Sequence, residues 1–186
     1  MLSDNQDWLT KIPQAISDTD YYLAISLCEQ ASKEDQIAWM NSRFYLGWMH
    51  EFGLGLDQNY ELAISLYVEA ANEGDCRAMF RIGAYHARSR NFEAAIDWFQ
   101  KAAIQDYAPA MWRLGVYHKS GRHLPKNIDL AKKFFTEAMK QGHAPAMYSY
   151  GSILLRSYNP IGLYYKIKSL VVFFSSGVGS VKTIVD

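Results

Sequence analysis

The chain has 186 residues, 49% of them hydrophobic and 15% aromatic, which is enough to bury a substantial core and too apolar for a disordered segment. Its formal net charge is zero, so it lacks the overall basic character of a general nucleic-acid binder. The charge is nevertheless polarised: residues 1–75 hold 13 acids and 3 bases, whereas residues 76–186 hold 6 acids and 16 bases, or about −10 against +10.

In chain order, Trp8, Leu9, Ile12 and Ile16 form a rough helical apolar face crossed by Pro13, so residues 1–19 are expected to be a short N-terminal capping segment. The first residues carry acids and no apolar core of signal-peptide type, which predicts a cytoplasmic protein. Asp20 then opens a helix with Leu23, Leu27 and Ala31 at a spacing of four. From here to residue 156 two registers recur. Gly47, Gly83, Gly115 and Gly151 align, preceded by Leu46, Ile82, Leu114 and Tyr150; Ala24, Ala63, Ala95 and Ala131 align in a second helical segment. Each of these alanines has apolar or aromatic residues three and four positions on, such as Leu66 with Tyr67 and Phe134 with Phe135.

The start of the second helix has a local chemical reason. Asp20, Asn59, Asn91 and Asn127 each stand four residues before the anchor alanine, and these residue types accept a bond from an orphan N–H at a helix N-terminus. Glu61, Glu93 and Asp129 follow where negative charge favours the helix dipole. Ala31, Ala70, Ala102 and Ala138 allow a neighbouring helix close approach. Gly74 and Gly142 end two of these helices, and Asp35 and Asp106 are expected to replace that glycine in the other units. Pro109 and Pro145 mark first turns of the partner helices. Each unit is thus a helical hairpin that buries its apolar face only by stacking. The loop FGLGLDQN matches SGRHLPKN in length, but the middle unit has only RSRN.

After Arg156 the pattern stops. Residues 157–186 contain no Ala, Glu, Gln or Arg and five of the seven valines, which predicts a divergent hydrophobic tail, either a cap or an altered-frame end. Its apolar runs are interrupted by Lys166 and Lys168 and fall short of the ~20 residues a membrane span needs, so no membrane contact is expected. Leu170 to Phe174 is an aggregation-prone run if exposed.

His50, His86 and His118 share one register, three residues after the anchor glycine. Metal ligation would need their ring nitrogens at ~2 Å from one ion, whereas directly packed helices lie about 8–10 Å apart, so packing is the expected role. His123 and His143 fall in loops, and Cys28 and Cys76 occupy non-equivalent positions expected of buried or incidental thiols. Glu51 and Asp57 flank Gly53 and Gly55 in what reads as a solvated loop. With no nucleophile elbow, phosphate loop or metal-ligand cluster in the sequence, no catalytic residue, metal or cofactor is assigned and no enzyme activity is expected.

The pattern A-x-x-x-L-G-x-x-x-x-x-G-x-G followed by N/D-x-x-x-A-x-x-[LWF]-[YF]-x-x-A-A-x-x-G resembles the Sel-one-like repeats, relatives of the tetratricopeptide repeats. It is best matched at Ser42 to Asp75, Ala78 to Tyr107 and Ala108 to His143, with Ser42 in place of the opening alanine. The resemblance spans roughly Asp20 to Arg156 and implies an all-α, right-handed α/α solenoid of stacked hairpins. It also implies a protein-interaction adaptor whose concave groove is lined by the first helices. Carried over by register, the groove residues are Phe44, Trp48, Glu51, Arg77, Phe80, Arg88, Trp112, Lys119, Tyr148 and Arg156. The aromatic ladder Phe44, Phe80, Trp112, Tyr148 is open to two readings, an exposed peptide grip or interhelix packing. Some cysteine-rich members of the family are linked with β-lactam binding or hydrolysis, but this chain lacks their paired cysteines, so that alternative is disfavoured. The Lys/Asn clamp of chaperone-binding relatives is also missing.

Three partners follow from these residues. An acidic peptide or protein surface is expected on the basic later units, through Arg77, Arg81, Arg88, Arg113 and Lys119. Head-to-tail self-association follows from the opposite charges of the two ends. Nucleic acid on the basic half is the weakest, for want of any recognised module.

Overall fold

The computed structural model describes residues 8–157 and 159–175, and among them there are ten α-helices and no strand. Expectations for residues 1–7 and for the tail beyond 175 lie outside the described residues. The chain divides into two compact units between Ser89 and Arg90. The first unit holds α1 (Trp8–Ser17), α2 (Tyr21–Ala31), α3 (Gln36–Phe52), α4 (Tyr60–Asn72) and α5 (Cys76–Arg88). The second holds α6 (Phe92–Ile104), α7 (Ala108–Ser120), α8 (Ile128–Lys140), α9 (Ala144–Arg156) and α10 (Ile161–Ser175). This is an all-α helical repeat fold.

The helix starts follow cap chemistry. Asp20, Asn59, Asn91 and Asn127 accept from the backbone N–H of Leu23, Leu62, Ala94 and Leu130, and so open α2, α4, α6 and α8. Of the alternate helices, α3, α5 and α9 have side-chain caps of their own, whereas α7 starts after Tyr107 without one. Asp35 accepts from Ala38, Asp75 from Arg77 and Ala78, and His143 from Ala146. Asp35 therefore does not replace a terminal glycine: its φ is −134°, an extended conformation that aims its carboxylate at the start of α3. Asp106 does replace one, with φ of 57° beside the 97° of Gly74 and 76° of Gly142.

All eight register alanines, from Ala24 to Ala138, are at most 1% exposed. They let the helices of a hairpin approach, and the register glycines bring them closer still. A Cβ on Gly47 would stand 3.0 Å from the Tyr67 ring, and one on Gly115 would stand 2.6 Å from Phe135, whose side chain is fully buried. Glycine and aromatic are thus two halves of one contact. In the hairpin of α9 and α10 the aromatic is missing, and Gly151 faces Gly162, whose carbonyl would lie 2.6 Å from a Cβ on Gly151.

In the first unit Ile12, Cys28, Ala31 and Ala38 form a core joining α1, α2 and α3, with Trp8 packed against it. Burial pushes the Cys28 thiol up to about 12, as fits an inert core position. In the second unit Met111, Ala131, Phe135, Ala138 and Ile153 form the core of α7, α8 and α9.

The cap of α9 makes stability sensitive to acid. Burial lowers the His143 pKa from 6.5 to about 4, and a neutral Nδ1 can accept the Ala146 N–H where an imidazolium could not. The unfolded chain therefore binds this proton first. The contribution of this cap is fully present above pH 6.5 and is lost as the pH drops toward 4. Thermal melts from pH 7 to 4 should show this loss in the native chain and a smaller one in His143→Asn, which keeps a cap that does not titrate. Equal acid sensitivity of the two proteins would refute it.

Candidate protein-binding surface

In the first unit the sequence-assigned residues are tied into networks along α3, α4 and α5. Arg77 donates to both carboxylate oxygens of Asp75, through Nη2 at 2.6 Å and Nε at 3.1 Å, and to Asn41 Oδ1 at 2.6 Å. Its guanidinium lies 4.2 Å from the centre of the Phe44 ring. Burial opposes the Arg77 charge, but the hydrogen bond and charge of Asp75 outweigh it and hold the pKa above its usual value. Phe44 also packs edge-on against Tyr45, with ring centres 5.2 Å apart.

Glu51 accepts the Tyr67 hydroxyl at 2.7 Å, and Arg81 approaches the same carboxylate at 3.9 Å. Burial raises the Tyr67 pKa, and the adjacent Glu51 charge raises it further, so the phenol stays a donor. Trp48 packs on Phe52 and Phe80 is half-buried. Arg88 is exposed, its guanidinium 5.1 Å from the Tyr60 ring centre.

The second unit holds its candidates differently. Trp112 Nε1 donates to Ser149 Oγ at 3.0 Å, fixing the indole between α7 and α9. Arg113 lies 4.8 Å from that ring; burial lowers its pKa, and its Nε finds no hydrogen-bond acceptor. Lys119 Nζ donates to Ser152 Oγ at 3.2 Å, while Lys166 Nζ, from α10, lies 4.6 Å from the centre of the Tyr148 ring. The Lys119 pKa is lowered, chiefly by burial and further by the Lys166 charge, with Tyr148 opposing. Among the described residues neither lysine makes an ion pair. Tyr148 is 51% exposed, and Arg156 is exposed.

The sequence reading passed over Lys166, because it lies in the segment set apart as a tail, and Ser149 and Ser152, which become informative only once α7 and α9 are adjacent. It also passed over Asp75 and Asn41. Asp75 was findable: an acid directly before a helix, with arginine two residues on, is a cap that can also form an ion pair.

Two of the three aligned histidines do more than pack. The Nδ1 of His50 lies 3.1 Å from the Asp57 carbonyl, and the Nδ1 of His118 lies 3.1 Å from the Pro125 carbonyl. A carbonyl only accepts, so each Nδ1 carries the proton and each ring fastens the loop that follows its helix. His86 precedes the short loop, which offers no equivalent carbonyl seven residues on. Among the described residues no group of three or more His, Cys, Asp or Glu is placed to hold a metal ion. No helix among them is long and apolar enough to cross a membrane.

Capped hairpins with a buried alanine register, carrying aromatic and basic side chains on alternate helices, define a protein of the helical-repeat class. The chain belongs to the Sel1 repeat family, whose model matches three consecutive copies at residues 41–75, 76–107 and 108–143. The family typically mediates protein–protein interaction and is generally non-catalytic.

Solved structures agree on the fold. A Sel1 repeat protein from Oxalobacter formigenes is 23% identical, with a TM-score of 0.67 over 85% of this chain and 68% of its own. The protective antigen c5321 of uropathogenic Escherichia coli strains, which displays an SLR fold, is 21% identical, with a TM-score of 0.65 over 89% of this chain and 40% of its own. The Pseudomonas aeruginosa protein PA5086 is 15% identical, with a TM-score of 0.57 over 94% and 83%. A search of curated proteins found no match.

Proposed function

We propose that the repeat array acts as an adaptor that binds an acidic protein segment, with side chains of α7 and α9, joined by Lys166 of α10, as its main contact surface. The observation that supports this most is the pair Lys119 and Lys166, set around the half-exposed Tyr148 ring without a carboxylate of their own. A partner's Asp or Glu would neutralise both lysines, and an adjacent apolar side chain would lie on Tyr148 and Trp112. Charge-assisted bonds of this kind set orientation and on-rate as well as affinity. Arg156 extends the basic character, while Phe44, Glu51 and Arg77 act mainly in holding the first unit together.

Affinity capture from cell extract with the full chain, beside Lys119→Glu/Lys166→Glu, tests this. Acidic partners should be lost from the double variant by tenfold or more and should weaken with added salt. The same partners retained through both changes would overturn the assignment.

A further inference from the structure

The helix α10 lies against α9 with its sides reversed from the ordinary arrangement. Gly162 and Ser169 are buried and Lys166 is half-buried, at the spacing of one helical face. The opposite face presents Leu163, Tyr164, Ile167, Leu170 and Val171, each more than half exposed. The Gly151–Gly162 contact explains the orientation, because only the glycine face permits that approach. The result is an exposed apolar stripe at positions i, i+1, i+4, i+7 and i+8, the pattern by which a helix docks into a groove. The helix carries Lys166 and Lys168 and no acid.

The first unit has a groove of the complementary kind. Between α1 and α2 lies a depression of about 590 Å³ with Ala15, Leu23 and Leu27 on its walls. Asp18 and Asp20 line it too and outnumber Lys11. Leu23 is 48% exposed.

We propose that the apolar stripe of α10 docks into the α1–α2 groove of a second copy of the chain. Charge selects this occupant. The groove belongs to the part of the sequence carrying about −10 and the stripe to the part carrying about +10, so two copies attract when opposite ends meet. Stripe against stripe would bring the Lys168 side chains of two copies together, since Lys168 lies beside Tyr164 of the stripe. A lipid surface would satisfy the lysines but leave the acidic groove without a role. The contact is heterologous, so it need not close on itself, and association grows with concentration.

Two variants separate the alternatives, and both change exposed side chains. Ile167→Glu/Leu170→Glu disables the stripe, and Asp18→Lys/Leu23→Lys disables the groove. Sedimentation equilibrium of the full-length native chain at low salt should give an average mass that rises above the monomer mass with concentration. Each variant alone should stay at monomer mass. Mixed at equal concentration, they should form a 1:1 complex of twice that mass, because the groove of the first accepts the stripe of the second. Circular dichroism should show both variants as helical as the native chain. Several results would overturn the proposal. They are a native chain that is monomeric at every concentration, a groove variant that still self-associates, and a mixture that stays monomeric. Stripe-dependent sedimentation with phosphatidylserine vesicles by a monomeric native chain would assign α10 to lipid instead.

Discussion

Gly151→Ala should lower the melting temperature by roughly 6–12 °C, the counterpart of about 3 kcal/mol in a chain of this length. Helix propensity alone gives the opposite sign, since alanine inside a helix is favoured over glycine by about 1 kcal/mol. The contact decides the outcome. The added Cβ would stand 2.6 Å from the Gly162 carbonyl and 3.2 Å from the Lys166 backbone nitrogen, and backbone atoms cannot rotate away as a side-chain end can. The two helices must separate, and the hairpin loses its packing. Gly162→Ala presses on the same place from the other side, where a Cβ would meet the Gly151 carbonyl at 2.6 Å. The double variant should therefore cost less than the sum of the singles, since a pair of helices already parted has less to lose. Thermal unfolding of the three proteins checks this, and a rise in melting temperature for Gly151→Ala would refute it.

Asp75→Ala should destabilise the first unit by about 2–4 kcal/mol in chemical denaturation. The carboxylate is 2% exposed and does two things at once: it caps α5 and it neutralises Arg77. Losing a cap costs typically ~1 kcal/mol. The remainder comes from leaving the Arg77 guanidinium, 28% exposed, with only Asn41, Tyr45 and the Phe44 ring for company. Asp75→Asn keeps an acceptor for the cap and removes the charge, so it should fall between the native protein and Asp75→Ala. A loss for Asp75→Ala no larger than that of a cap would show that the ion pair contributes nothing.

These two sites mark where sequence reasoning reaches and where it stops. The caps Asp20, Asn59, Asn91 and Asn127 were legible because an N-cap is local chemistry, settled by a side chain and a backbone N–H three residues away. The buried alanines were legible through their recurrence. Arg77 was not: its register made it a groove residue, but its partners include Asn41, 36 residues earlier, and only the packing of α3 on α5's own unit brings them together. His143 read as a loop residue because histidine is an uncommon cap, and burial is what keeps it neutral enough to serve. The segment after Arg156 broke the repeat pattern in composition yet still supplies α10. Its apolar residues surround most of the helix, so periodicity could not say which side faces α9. That was settled by one glycine opposite another.

The fastening of two loops by His50 and His118 bears on how such a protein can change. In both cases the chain turns through a left-handed glycine, Gly53 or Gly121, and returns with Asn59 or Asn127 bonded to the carbonyl of the histidine, at 2.9 Å each. The bonds that close both loops use the histidine ring and the backbone, joined in the first loop by Gln58 Nε2, which donates to the Glu51 carbonyl at 2.9 Å. The exposed side chains of Asp57, Arg122 and Lys126 are not needed for closure, whereas Leu56 packs on the core beneath. Selection can therefore rewrite the exterior of these turns while the hairpins beneath keep their packing, which separates the evolution of recognition from the evolution of stability.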